Sequence, residues 1–414
     1  MGCRSLKFAT EKETAAVSIV ARAAVSVERP IVSDSGVSLE NIANRVAKPV
    51  PKAVPTRGNV RALRFAARGV LWDLSGEKRC RSCGRWSITP DGSVQARKTS
   101  QAVGYAGLAT CGRVWVCPVC NAKIQAARRL EVGAALSFIL GTDGGAAFGS
   151  YTLRHHARTD PDRLWRGLSK CWQAVKRDGS VRRLRVSMGY LGTIRAAECT
   201  YGANGWHPHI HVVHLFSRPV SVAEVAALHA AEFRAWAAGA ARLGLSAPSD
   251  AAQDLHVVTG ATADVELGDY FTKASYTPTV EAVGWEMTSS QTKTRTRAKD
   301  SRTPWDLLAA VHLEGDADAL DLWHIWERFS KGKRALTWTR GLRALCGLGV
   351  EREDEEVAEE AVGTADDVLF TIADWAPFRA HPVWGAELLT VVEVGGKAAG
   401  LAWCAERGIE IRGA

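Results

Sequence analysis

Residues 198–211 read E-C-T-Y-G-A-N-G-W-H-P-H-I-H, so Glu198 and three histidines, His207, His209 and His211, flank a short polar turn. Side chains at i and i+2 of a strand share one face, about 6.5–7 Å apart, and alternate imidazoles there can converge on one cation. Gly202, Ala203, Asn204 and Gly205 supply the turn and predict a hairpin. A register that sets residue 198 opposite 209 brings Glu198 to the metal face as a third ligand, provided that no β-bulge intervenes. His207 reads first as a residue orienting the other imidazoles, then as a further ligand or a DNA contact. His214 falls on the opposite face by parity and reads as structural.

Some sixty residues on, V-E-L-G-D-Y-F-T-K places Glu266, Tyr270 and Lys273 at i, i+4 and i+7, one face of a helix. A tyrosine is a poor nucleophile at its ordinary pKa of about 10, but it becomes competent once a metal polarises the electrophile. Histidine strand and tyrosine helix together point to phosphoryl transfer through a phosphotyrosine. Tyr276 lies off that helical face and exchanges roles with Tyr270 only if the helix ends early.

These residues resemble the single-tyrosine plasmid rolling-circle replication initiators of the HUH endonuclease superfamily. The resemblance rests on His209-Ile210-His211 within G-W-H-P-H-I-H, on Leu267 to Lys273, and on W-x-C-P-x-C at Trp115 to Cys120; it covers about residues 78–347. It implies Mg²⁺ or Mn²⁺ on His209 and His211 and attack of Tyr270 on one DNA strand. The products are a 5′-phosphotyrosine and a free 3′-hydroxyl that primes synthesis. Lys273 would lie near the scissile phosphate, and Glu266 would activate the water that ends the cycle. The partners implied are plasmid origin DNA, supercoiled or single-stranded at the nick, with a host helicase and DNA polymerase. Competing readings are an HUH transposase, a non-catalytic zinc-ribbon DNA-binding regulator and a zinc hydrolase.

Ten cysteines without a secretory signal argue for metal rather than disulfides. Cys80-x-x-Cys83 and Cys117-Pro-Val-Cys120 each offer two thiolates to a tetrahedral Zn²⁺; the preferred set is Cys80, Cys83, Cys117 and Cys120, with Cys111 as substitute. Reduced thiols without metal are the alternative. Cys3, Cys171, Cys199, Cys346 and Cys404 lack paired spacing and read as ordinary small residues.

The 414 residues carry a net charge of +9, unevenly spread: residues 351–414 hold five basic and fourteen acidic residues, leaving 48 against 30 upstream. An excess of positive charge of this kind suits a polyanion. Lys293, Arg295, Arg297, Lys299 and Arg302 form the densest basic run and are expected to follow a DNA backbone. No run of 18 apolar residues exists and no Walker-type loop is present, so a cytoplasmic protein without membrane attachment or ATP use is expected.

The element order β-α-β-β-α-β-α predicts an α+β fold, an antiparallel ferredoxin- or RRM-like sheet flanked by helices. The expected organisation is a mobile arm (1–60), a zinc-ribbon-like cysteine segment and helix (61–140), and a nuclease core (141–290). A basic linker with a helical DNA-binding extension (291–350) and an acidic linker with a small C-terminal unit (351–414) complete it. The tryptophans after residue 303 read as core, although Trp338 beside Arg340 and Arg343 is placed to touch DNA.

Overall fold

The computed structural model describes residues 57–98, 103–258, 301–360 and 367–412. They form an α+β molecule with two antiparallel sheets. The smaller sheet contains β1 (Val94–Lys98), β2 (Val103–Ala106), β8 (Val368–Ile372) and β9 (Ile411–Arg412) in the order β2-β1-β8-β9. The larger contains β3 (Gly145–Thr152), β4 (Tyr190–Gly202), β5 (Gly205–Phe216), β6 (Asp254–Val257) and β7 (Leu336–Trp338) in the order β6-β3-β5-β4-β7.

Local signals account for the helices of the larger unit. Asp160 accepts from the backbone of Asp162 and Arg163 and starts the helix Pro161–Arg177, with proline in its first turn. Ser221 and Glu224 close a capping box on Val222–Arg242, and Thr303 and Asp306 do the same on Pro304–Glu314. These helices bury apolar stripes rather than stand alone. Leu164, Leu168, Trp172 and Trp236 share one core with Ile210, Val212 and Phe216 on one face of the sheet. The helix Pro118–Gly141 covers part of the other face, where Val132, Leu136 and Ile139 meet Phe148, Ile194, Val213 and Leu215. Burying each such side chain stabilises the fold by about 1.5–3 kcal/mol.

β3 and β4 run parallel with β5 antiparallel between them, so the connection through Pro161–Arg177 spans an inserted strand. β7 was not anticipated from the sequence; it lengthens the sheet by pairing Ile194 with Trp338 and Ala196 with Leu336. The far end of the chain also returns. β8 pairs with β1, and the helix Trp384–Glu406 packs Leu388, Leu389 and Val392 into the core of the small sheet. That helix is long and apolar enough to cross a membrane by length and composition, but it breaks at Gly396, whose φ is 71°.

The acidic stretch after Glu351, expected as a solvated linker, folds as the helix Asp354–Glu360 with Val357 and Ala358 buried. Asp354 pairs with Arg128 at 3.0 Å and Glu355 with Arg79 at 3.1 Å, so two of its carboxylates face cations of the cysteine unit. Trp323 and Trp326 are fully buried, as the core reading requires, and Trp338 packs under the Arg343 guanidinium.

Candidate metal centres

The hairpin that carries the histidines turns at Ala203 and Asn204, with Gly202 paired to Gly205. Gly205 takes a φ of 82°, and a Cβ there would lie 3.0 Å from the Ala157 backbone, so both conformation and space favour glycine. Counting back from this loop sets Glu198 opposite His209, Ala196 opposite His211 and Thr200 opposite His207. A register shift does occur in β4, but at Tyr190/Gly192, at the strand's other end. Glu198 is therefore directly across from one imidazole and diagonal to the next, within reach of both.

Glu198 Oε2 lies 3.0 Å from His211 Nε2 and 3.3 Å from His209 Nε2. These three ligand atoms fall within 4.8 Å of one another, a group that can hold a metal ion. Two atoms bound to one ion at about 2.0–2.2 Å stand roughly 3.0–3.5 Å apart, which matches the observed spacing. His211 is oriented from behind: Ser150, opposite it on β3, has its hydroxyl 2.9 Å from Nδ1, and Phe148 stacks on the ring at 5.7 Å. A serine hydroxyl both donates and accepts, so Ser150 serves either tautomer. With Nε2 on a cation, Nδ1–H donates to Ser150; with Nε2 protonated toward Glu198, the serine donates instead. Ser150 is itself fixed by its backbone N–H, which donates to Asp254 Oδ1 at 2.7 Å. That approach needs Gly149, since a Cβ there would lie 2.0 Å from the Asp254 carbonyl oxygen.

His207 stands outside this trio. Its Nδ1 faces that of His155 at 3.4 Å, and burial, then the neighbouring His209 and His155, push it down to about 3, leaving the ring neutral. His155 was not singled out in the sequence. It follows β3 without a motif, and the segment that packs Ala157 against Gly205 brings it beside His207.

The second group is sulfur. Cys83, Cys111, Cys117 and Cys120 are all buried, and their Sγ atoms lie within 4.8 Å of one another. Cys83 is 3.7 Å from Cys117 and 3.6 Å from Cys120, and Cys111 is 3.6 Å from Cys120. Tetrahedral Zn–S bonds of about 2.3 Å predict separations of about 3.8 Å. Cys111 thus takes the place that sequence spacing assigned to Cys80, which is buried against the Cys111 thiol but is not one of the four. Cys80 sits inside the short helix Lys78–Ser82 and Cys83 at its end; Cys80 reaches only as far as the Cys111 thiol, whereas the β1–β2 hairpin returns Cys111 to the cluster. Cys117 caps the helix Pro118–Gly141 and Cys120 lies in its first turn, where the positive end of the helix favours thiolates. Hydrogen bonds from Cys111, Cys117 and Cys120 hold the Cys83 thiol well below its ordinary value, helped by the nearby Arg68 charge.

Trp115 Nε1 donates to the Lys333 carbonyl and Trp326 Nε1 to the Trp115 carbonyl, tying the cysteine unit to the helices beyond residue 303. Arg302, read as the last of five DNA contacts, is 8% exposed; its backbone exchanges two hydrogen bonds with Tyr201 and its guanidinium lies 3.6 Å from Asp316. Glu266, Tyr270, Lys273, Tyr276, Lys293, Arg295, Arg297 and Lys299 lie outside the described residues.

The chain is 29% identical over 350 residues to a Streptomyces lividans protein named "Protein rep", covering 70% of this chain and 73% of the relative. It is 34% identical over 154 residues to a "Neomycin resistance protein" of Streptomyces cyanogenus, covering 30% of this chain and 35% of that one. No family model and no solved structure matches.

Proposed function

We propose that this chain is a cytoplasmic plasmid replication initiator of the HUH type, which nicks one origin strand by metal-assisted attack of Tyr270. The observation that carries the reading is the Glu198–His209–His211 group on paired antiparallel strands, a carboxylate and two imidazoles at ligand spacing. Such a set suits Mg²⁺ or Mn²⁺ with positions left open for a phosphate oxygen. A bound ion there would polarise the scissile phosphate, and His211 would be held for it by Ser150. Two features support the reading further. The order β6-β3-β5-β4, with a helix-bearing connection spanning β5, is that expected of a ferredoxin-like nuclease sheet. The likeness to a protein named "Protein rep" supports a part in plasmid replication, with origin DNA as partner. Glu266 as the terminating base, Lys273 beside the phosphate and Zn²⁺ on the cysteines belong to the same proposal, as do the basic contacts from Lys293 to Lys299.

Incubation with supercoiled origin plasmid and Mn²⁺ tests it. The expected product is nicked DNA with protein on a 5′ end, absent for Tyr270→Phe and for His209→Ala/His211→Ala. Retarded but intact plasmid would support a non-catalytic DNA-binding protein instead. Glu266→Ala is expected to spare nicking and impair termination.

A further inference from the structure

Resting on the metal reading of the Glu198 group, we propose that His155 and His207 form a second cation site beside it, one that takes a divalent transition metal through two imidazoles. The rings of His155, His207, His209 and His211 stand in a row with centroid separations of 4.8, 5.2 and 5.0 Å. Within that row the nitrogens divide into two sets. His209 and His211 turn Nε2 toward Glu198, whereas His207 turns Nδ1 toward His155.

The two Nδ1 atoms are 3.4 Å apart, and nitrogens bound at about 2.0–2.1 Å to a tetrahedral ion stand roughly 3.3–3.4 Å apart. The Leu153 carbonyl oxygen, 3.1 Å from His155 Nδ1, is at ligand spacing from that atom as well. Hydrogen bonding alone uses this arrangement poorly. One Nδ1–H on His155 would have to serve both the Leu153 carbonyl and the His207 nitrogen, whereas a cation engages both imidazole lone pairs at once. Imidazole donors suit Co²⁺, Zn²⁺ and their neighbours better than Mg²⁺, so the two sites differ in the metal they prefer. His155 is half-buried between the exposed Arg154 and His156, which leaves a path for the ion. An ion held there by His155 and His207 would add positive charge beside the Glu198 group.

The test is a count of metal ions. The full chain, its cysteine group filled with Zn²⁺, is dialysed to equilibrium against Co²⁺, and bound cobalt is measured by elemental analysis and by absorption. Two Co²⁺ per chain are expected, falling to one in His155→Ala and in His207→Ala, and to one in His209→Ala/His211→Ala. A wild-type count of one, retained in His155→Ala, overturns the second site and leaves the Glu198 group standing. A wild-type count of one that falls to zero in His155→Ala and equally in His209→Ala/His211→Ala means a single shared site and overturns it too. No cobalt at all removes both readings. His155→Gln, compared with the wild type by thermal melting, separates ligand loss from misfolding; two ions bound in a variant of wild-type stability overturn the role of His155.

Discussion

Two carboxylate–imidazole clusters lie back to back across β5, and their surroundings give them opposite uses. On one face Glu232 accepts from His214 Nε2 at 3.2 Å, from Arg185 Nε at 3.2 Å and Nη2 at 2.7 Å, and from the Tyr151 hydroxyl. Glu232 and His214 have no exposure. On the other face Glu198 meets His209 and His211, and the His209 side chain keeps 13% exposure. A carboxylate saturated with donors and matched by a guanidinium has no capacity left for a ligand; it anchors the helix Val222–Arg242 to the sheet. A carboxylate facing imidazoles can exchange their protons for a cation. Distance alone does not separate structural from functional pairs. Saturation and access do.

The sharpest way to break this contrast is to delete each carboxylate. Glu232→Ala leaves Arg185 buried without its partner and is expected to cost about 3–5 kcal/mol of stability, read by urea unfolding. Glu198→Ala is expected to change metal-free stability far less while abolishing cation binding; equal losses in the two variants would erase the distinction.

Acid sharpens it next. Burial pushes the Glu232 carboxyl up, but the His214 imidazole and the Arg185 guanidinium outweigh it and hold it at about 2, below the ordinary 4.5. A depressed carboxyl contributes stability that is whole above pH 4.5 and disappears as pH falls through 2, here roughly 3 kcal/mol. Burial also lowers His214, so the neutral ring is favoured in the fold and a further contribution erodes as pH drops below 6.5. Melting temperatures should decline from pH 6.5 downward, and Glu232→Gln should flatten the segment below 4.5.

Metal linkage acts on the other face. A cation at 100 times its Kd should raise stability by about 2.7 kcal/mol in the wild type and by nothing at that site in His209→Ala/His211→Ala. The smallest effect is expected from Ser150→Ala, which removes the support of His211 Nδ1 and should weaken metal affinity about 10–100-fold, read by Mn²⁺ titration, with little change in metal-free stability.

Much of the larger sheet was legible because its signals are local. Pro161–Arg177 sets Leu164, Leu168, Cys171, Trp172 and Val175 on one helical face, and β4 and β5 flank the polar turn at Ala203 and Asn204, so these elements follow from local pattern. β7 was missed because three residues between helices carry no period of their own; they become a strand by pairing with β4. β8 and β9 carry no such signal either: β8 finds its partner more than 270 residues earlier in β1, and the two-residue β9 pairs in turn with β8. The cysteine set shows the limit most plainly. C-x-x-C spacing nominated Cys80, yet the hairpin between the two pairs delivers Cys111.

What the sequence determined by itself is whatever depends on spacing along the chain: alternate histidines on one face, a two-residue turn that sets Glu198 opposite His209, and helix caps at Asp160, Ser221 and Thr303. These follow from backbone geometry, which any stretch of chain carries with it. Only the tertiary structure decided which four thiols meet, that His155 closes the row of imidazoles, and that Glu232 seals its histidine while Glu198 faces one buried imidazole and one, His209, that is partly exposed. Those outcomes depend on which distant segments pack together, and packing is set by burial of the whole chain's apolar surface, a quantity no local pattern records.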